Sequence, residues 1–169
     1  MMENLIITDE YPGLIDEGYR YRLNGNLTCT ASIDIRLDKK LYVQGSIEAG
    51  WSIKAGEYIE AGGSIEAGES IEAGWYIKAG GYIKAGGYIK AGGSIEAGWY
   101  IKAGESIKAG RGILAQLAIT CKGTLKVKLG IYAGVCTWRE PTADEQTITC
   151  GQLEGTVKYG TVKLIEEAK

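Results

Sequence analysis

Little in this chain is equipped to make or break bonds. Its 169 residues include no histidine, and its four cysteines, Cys29, Cys121, Cys136 and Cys150, show no C-x-x-C spacing. Zinc sites are built from Cys and His at short fixed spacings, so neither a metal nor any other cofactor is expected. Carboxylates and tyrosines are plentiful, yet none falls into a recognisable acid–base or nucleophilic arrangement, and the chain is expected not to be an enzyme. What the sequence offers instead is recognition chemistry at regular spacing. Trp51, Trp75 and Trp99 recur every 24 residues. Tyr76, Tyr82, Tyr88 and Tyr100 share one repeated position with Tyr58, and Lys78, Lys84, Lys90 and Lys102 share another. Large aromatics dominate binding hot spots, and lysine interleaved with tyrosine can hold nucleic acid. The opposing reading is that the rings stack on one another as cross-strand ladders and the lysines merely solvate the surface.

The elements that position these side chains follow from the repeat. From Gly45 to Gly110 the chain runs through eleven uninterrupted hexads, beginning GSIEAG, WSIKAG, EYIEAG. Strand geometry alternates sides, so Ile and Ala face one way and Ser/Tyr and Glu/Lys the other, which makes Ile and Ala the inside. A helix fails: a glycine every six residues costs about 1 kcal/mol each, and the period matches neither 3.6 nor 7. The Gly and the variable residue after it make a corner, where positive φ is expected to turn the strand. The Ile slot extends outward as Cys29, Ile35 and Leu41 before the perfect repeats, and as Ile113, Ile119, Leu125 and Ile131 after them. The Ala slot extends as Ala31, Leu37 and Val43, and as Ala115, Cys121, Val127 and Ala133. Cys29 and Cys121 are therefore expected to be small buried hydrophobes.

The fold class expected is all-β, a single-stranded β-solenoid of six-residue steps. Three hexads per coil give a triangle with a register of 18, and this stacks Glu60 over Lys78 over Glu96 and Lys54 over Glu72 over Lys90, opposite charges that attract. Two hexads per coil would stack Glu48, Glu60 and Glu72 as like charges, although that flatter coil would put the three tryptophans on one edge. The triangle is preferred.

On these residues the segment 29–133 resembles the hexapeptide-repeat β-helix proteins, known best as acyltransferases and trimeric carbonic anhydrases. The resemblance lies in the six-residue period and triangular coil. The small residue that the family places two positions before its aliphatic is Gly, Glu or Trp here, as in Trp75-Tyr76-Ile77. The activities of that family rest on histidines, which this chain lacks, so the resemblance implies fold and not chemistry. In the tail, Ile131-Tyr132-Ala133-Gly134-Val135-Cys136-Thr137-Trp138-Arg139 and Ile148-Thr149-Cys150-Gly151 resemble the ends of small uncharacterised phage and mobile-element proteins. That second resemblance implies an inhibitor of host defence, such as an anti-CRISPR.

Three regions are expected: an N-terminal cap at 1–28 with a turn at Tyr11-Pro12-Gly13, the solenoid at 29–133, and a C-terminal β-meander at 134–169 that caps the far end, pairs two subunits, or both. Nineteen basic and 21 acidic residues leave a net charge of −2, which gives no nucleic-acid footprint from the totals. No segment has the length and apolarity to span a bilayer, and a cytoplasmic protein is expected. The function expected is non-catalytic binding of a macromolecule, a protein ahead of nucleic acid, by a homo-oligomer joined through the C-terminal region. The alternative is a self-assembling structural solenoid.

Overall fold

The computed structural model describes residues 3–165, and over them the chain is a three-sided parallel β-solenoid. Its 25 strands lie in three sheets of eight, eight and nine, here called faces A, C and B. In chain order they are β1 (Leu5–Ile7), β2 (Leu14–Asp16), β3 (Arg20–Leu23), β4 (Leu27–Cys29), β5 (Ile33–Ile35) and β6 (Lys40–Val43). There follow β7 (Ile47–Ala49) to β17 (Ile107–Ala109), one strand per hexad, then β18 (Ile113–Ala115), β19 (Ile119–Cys121), β20 (Thr124–Val127) and β21 (Ile131–Ala133). The last are β22 (Thr147–Cys150), β23 (Gln152–Glu154), β24 (Val157–Tyr159) and β25 (Thr161–Leu164).

From β3 onward each strand pairs with the strand three places on, which in the perfect repeats is three hexads later: Ile65 lies on Ile83 and Ile77 on Ile95. In the perfect repeats the Ile slot is 0–1% exposed and the Ala slot 2–4%. Burying each Ile side chain favours folding by roughly 1.5–3 kcal/mol. The coils are also tied together at the backbone, since Ile65 N–H donates to the Tyr82 carbonyl at 2.9 Å and Gly104 N–H to that of Ala85 at 3.0 Å. Serine hydroxyls add to this stacking: Ser46 Oγ accepts the Ser64 N–H at 3.0 Å and Ser64 Oγ accepts the Tyr82 N–H at 3.2 Å.

The triangular coil is as expected, and four details differ. First, the repeat glycines do not turn the chain through positive φ; that region is occupied by Gly13, Gly18, Gly25, Gly134, Gly155 and Gly160. Most of the repeat glycines are required by close approach instead: a Cβ on Gly104 would lie 1.8 Å from the carbonyl oxygen of Gly86 in the preceding coil.

Second, the phase expected before Leu41 slips by two residues. Leu27 and Ile33 hold the Ile slot, stacked on Ile47 and Ile53, while Cys29 and Ile35 stack on Ala49 and Ala55. Two extra residues at the corner between β5 and β6 lengthen these coils to a register of 20, as in Tyr21 on Leu41. Because strand sidedness repeats every two residues, the slip keeps Cys29 and Ile35 inward, while Ala31 and Leu37 move from the expected Ala slot to corners. Cys29 still packs on the core, half-buried, with Ala31 at the neighbouring corner.

Third, the N-terminal region is more than a cap. β1, β3 and β4 pair in parallel with β5, β6 and β7 and so belong to the solenoid. The capping element is β2, antiparallel on β3.

Fourth, the tail strands do not form a meander. β22, β23, β24 and β25 pair in parallel with β19, β20, β21 and β22, continuing the winding after an excursion of the chain. Residues that pair with the strand one coil back, and not with their chain neighbour, have left the hexad period without leaving the coil. The excursion lengthens the register on face C to Ile119 on Ile148, where the regular coil before it sets Ile101 on Ile119.

Candidate binding surface

The triangular coil distributes the candidate residues over its whole perimeter. The three tryptophans fall on three different corners, because their spacing of four hexads is one coil and one side: Trp51 precedes β8 on face A, Trp75 precedes β12 on face B and Trp99 precedes β16 on face C. They are 55%, 49% and 49% exposed. Tyr76 and Lys78 lie on face B, Tyr88 and Lys90 on face A, and Tyr82, Tyr100, Lys84 and Lys102 on face C.

Part of this surface is satisfied within the rod. Tyr82 and Tyr100 stack with ring centres 5.0 Å apart, and Tyr58 stacks on Tyr76 at 5.7 Å, which itself meets Trp75 at 6.4 Å. Lys78 pairs with Glu96 at 3.6 Å, and Lys84 and Lys90 pair with Glu66 and Glu72 at 2.6 Å each. The Tyr82 hydroxyl donates to Glu66 at 2.9 Å. Hydrogen bonding from Lys84 holds the Glu66 carboxyl below its usual range, and the same bond raises Lys84. The Tyr82 phenol is pushed up chiefly by its bond to that carboxylate. The ladder reading therefore accounts for Tyr76, Tyr82, Tyr88, Tyr100, Lys78, Lys84 and Lys90. Lys102 makes no ion pair among the described residues.

Beyond the perfect repeats, one long excursion breaks the regularity. Between β21 and β22 residues 134–146 leave the coil and fold across face C. The exit is Gly134, at φ 80°, where a Cβ would sit 2.8 Å from the Gln146 Cα, so both backbone and space demand glycine. The excursion ends in a short 3₁₀ turn, Asp144–Gln146. Arg139 braces it with two bonds to Glu145, at 2.8 and 2.5 Å, and lies over the Trp138 ring at 4.7 Å. That guanidinium holds the Glu145 carboxyl down to about 2.

The excursion turns a flat face into a concave one. A cleft of about 540 Å³ is lined by Lys84, Tyr100, Lys102, Leu117, Asp144 and Glu145 among others. Around the adjoining corner a second hollow of about 400 Å³ lies between Trp99 and Trp138, over Gly98 and Gln116. The structure thus brings together Trp99, Tyr100, Lys84 and Lys102, with Tyr82 stacked behind, and leaves Trp51, Trp75, Tyr76, Tyr88, Lys78 and Lys90 apart. Sequence reasoning missed Trp138, Asp144 and Glu145, whose only signal was the loss of the hexad period after Gly134.

The same geometry decides what the chain is related to, because a parallel three-sided coil across residues 21–150 is what its family match covers: the match is to the Flagellar Assembly Protein A beta solenoid domain, FapA. The chain belongs to the FapA β-solenoid family. No curated protein and no solved structure matches it. The FapA match is wider than the 29–133 expected for the solenoid and takes in the excursion and β22. The resemblance to hexapeptide-repeat solenoids holds at the level of the fold, and the resemblance of the tail to phage proteins gains nothing from the FapA match. No helix among the described residues is long and apolar enough to cross a membrane.

Proposed function

We propose that the chain is a non-catalytic binding scaffold in flagellar assembly, and that it takes a protein partner in the cytoplasm through the cleft on face C. The observation that carries this reading is the excursion 134–146. Over the perfect repeats each face repeats itself, and a repeated face offers a partner many equivalent registers. The excursion adds a cleft walled by a tyrosine and an uncommitted lysine and, around the corner, a hollow between two half-exposed tryptophans, neither of which the repeats reproduce. Aromatic anchors in a preformed hollow lose little entropy on binding. The carboxylates Asp144 and Glu145 at the rim disfavour a polyanion, so a protein segment is preferred to nucleic acid. An anti-CRISPR or other inhibitory role has no comparable support, since it rested on the tail resemblance alone.

A photo-reactive amino acid placed at Tyr100 or Trp138, in cells that build flagella, tests the reading. Adducts with a flagellar-assembly component from those two positions, and none from Tyr88 or Trp51, are expected. Equal labelling from all four positions, or none, would remove the cleft as the site.

A further inference from the structure

The last described coil ends in three strands, one per face. β23 is the terminal strand of face A, β24 of face B and β25 of face C. Each follows the previous one around the triangle and stands higher by a third of the coil rise, about 1.6 Å. Their outer edges carry backbone groups with no pairing strand among the described residues. Val162 and Leu164 stack on the buried Ile148 and Cys150, in inward slots, yet are 39% and 55% exposed, with no coil over them among the described residues. Neither β23 nor β25 contains a proline or an inward-pointing charge.

We propose that this end pairs with the same end of a second copy of the chain, about a two-fold axis through β24 and perpendicular to the rod. The argument is geometric. Such an axis places β24 against β24 of the second copy, and each β23 against the other copy's β25, all antiparallel. The strand that is a third of a rise low meets the strand that is a third high, so the three gaps are equal and all three edges reach strand spacing together. β24 is bulged against β21, so the pairing falls chiefly on the two β23–β25 contacts. Charge fits the same arrangement. With Leu153 opposite Leu164, Glu154 lies opposite Lys163, and this happens twice. Both are outward: Glu154 stacks on Lys126, and Lys163 on Thr149. Glu154 already pairs with Lys126 while Lys163 has no ion pair among the described residues, so the outward row would run Lys126, Glu154, Lys163 across the junction.

The opposite end cannot do this. On face B the antiparallel β2 adds a strand out of winding order, while faces A and C stop at β1 and β4. A head-to-tail contact would leave at least one edge unpaired, so association stops at two copies and does not propagate as a filament.

Sedimentation velocity of the 169-residue chain tests the proposal. A species of twice the 18.1 kDa chain mass is expected, with no growth beyond it as concentration rises. Lys163→Glu should weaken the dimer by about fivefold to tenfold, as like charges placed in opposition do, with the far-ultraviolet circular dichroism unchanged. Combining it with Glu154→Lys should restore affinity. A monomer at about 100 μM, polymers that lengthen with concentration, or a Lys163→Glu variant that dimerises like the parent would each overturn it.

Discussion

Gly104 and Gly56 hold the same place in their hexads but not the same surroundings. A Cβ on Gly104 would collide with the Gly86 carbonyl, whereas one on Gly56 meets nothing within 4 Å. Neither has a positive φ. Gly104→Ala should therefore destabilise by about 1–3 kcal/mol, as other overpacked sites do, while Gly56→Ala should be neutral or stabilise by up to about 1 kcal/mol through the unfolded chain. Urea unfolding of the pair checks both. The glycine was legible in the sequence as a corner, but its reason was not, since a contact between coils has no trace in a single hexad. Cys121 shows the reverse case, in which the inward slot was read correctly. Burial, with Cys150 beside it, pushes its thiol up to about 12 from 9.0. Between those values the unfolded chain loses a proton that the folded chain keeps, so the stability it contributes is full below 9.0 and falls as pH rises toward about 12. Cys121→Ala, which restores the common occupant of the slot, should flatten the decline measured by denaturant titration from pH 8.5 upward.

At the scale of elements, the rows of outward charge were readable as soon as the three-hexad coil was chosen. Asp34, Lys54, Glu72, Lys90, Lys108 and Lys126 follow one another up face A. Glu72 is the one carboxylate between Lys54 and Lys126. Glu72→Lys would leave five lysines in an unbroken column and should cost about 0.2–1 kcal/mol per new like-charged neighbour. The melting temperature should drop in dilute buffer and recover most of the loss in about 1 M salt, where the screening length is near 3 Å. A drop that salt leaves untouched would assign the residue a packing role. What the sequence hid at this scale was the slip of two before Leu41. A shift of two keeps Cys29 and Ile35 inward, so their inwardness gave no sign of it, while Leu27 and Ile33 pass from expected corners to the Ile slot. The tail was hidden for another reason: the hexad at residues 146–151 is isolated and out of phase with the rest, and Leu153 and Val157 then follow at spacings of five and four residues.

At the scale of the molecule, the described residues form a triangular rod whose largest departure from the repeat is the excursion on face C. The rod was legible from eleven repeats of one hexad. The candidate site, cleft and adjoining hollow together, was legible only in half, because Trp99, Tyr100, Lys84 and Lys102 come from the repeat, while Trp138, Asp144 and Glu145 come from a segment whose path no periodicity describes. That division is also what makes the functional claim testable against the rest of the perimeter, since Trp51 and Trp75 are the same residue type, at equivalent corners, without an excursion over them. The most direct measurement is flagellation in cells whose own copy carries either Trp99→Ala with Trp138→Ala or Trp51→Ala with Trp75→Ala, each first shown to retain its circular dichroism and melting temperature. Loss of flagella with the first pair and normal flagella with the second is the result expected of a scaffold acting through the face C cleft. Normal flagella with both, or equal loss with both, would contradict it.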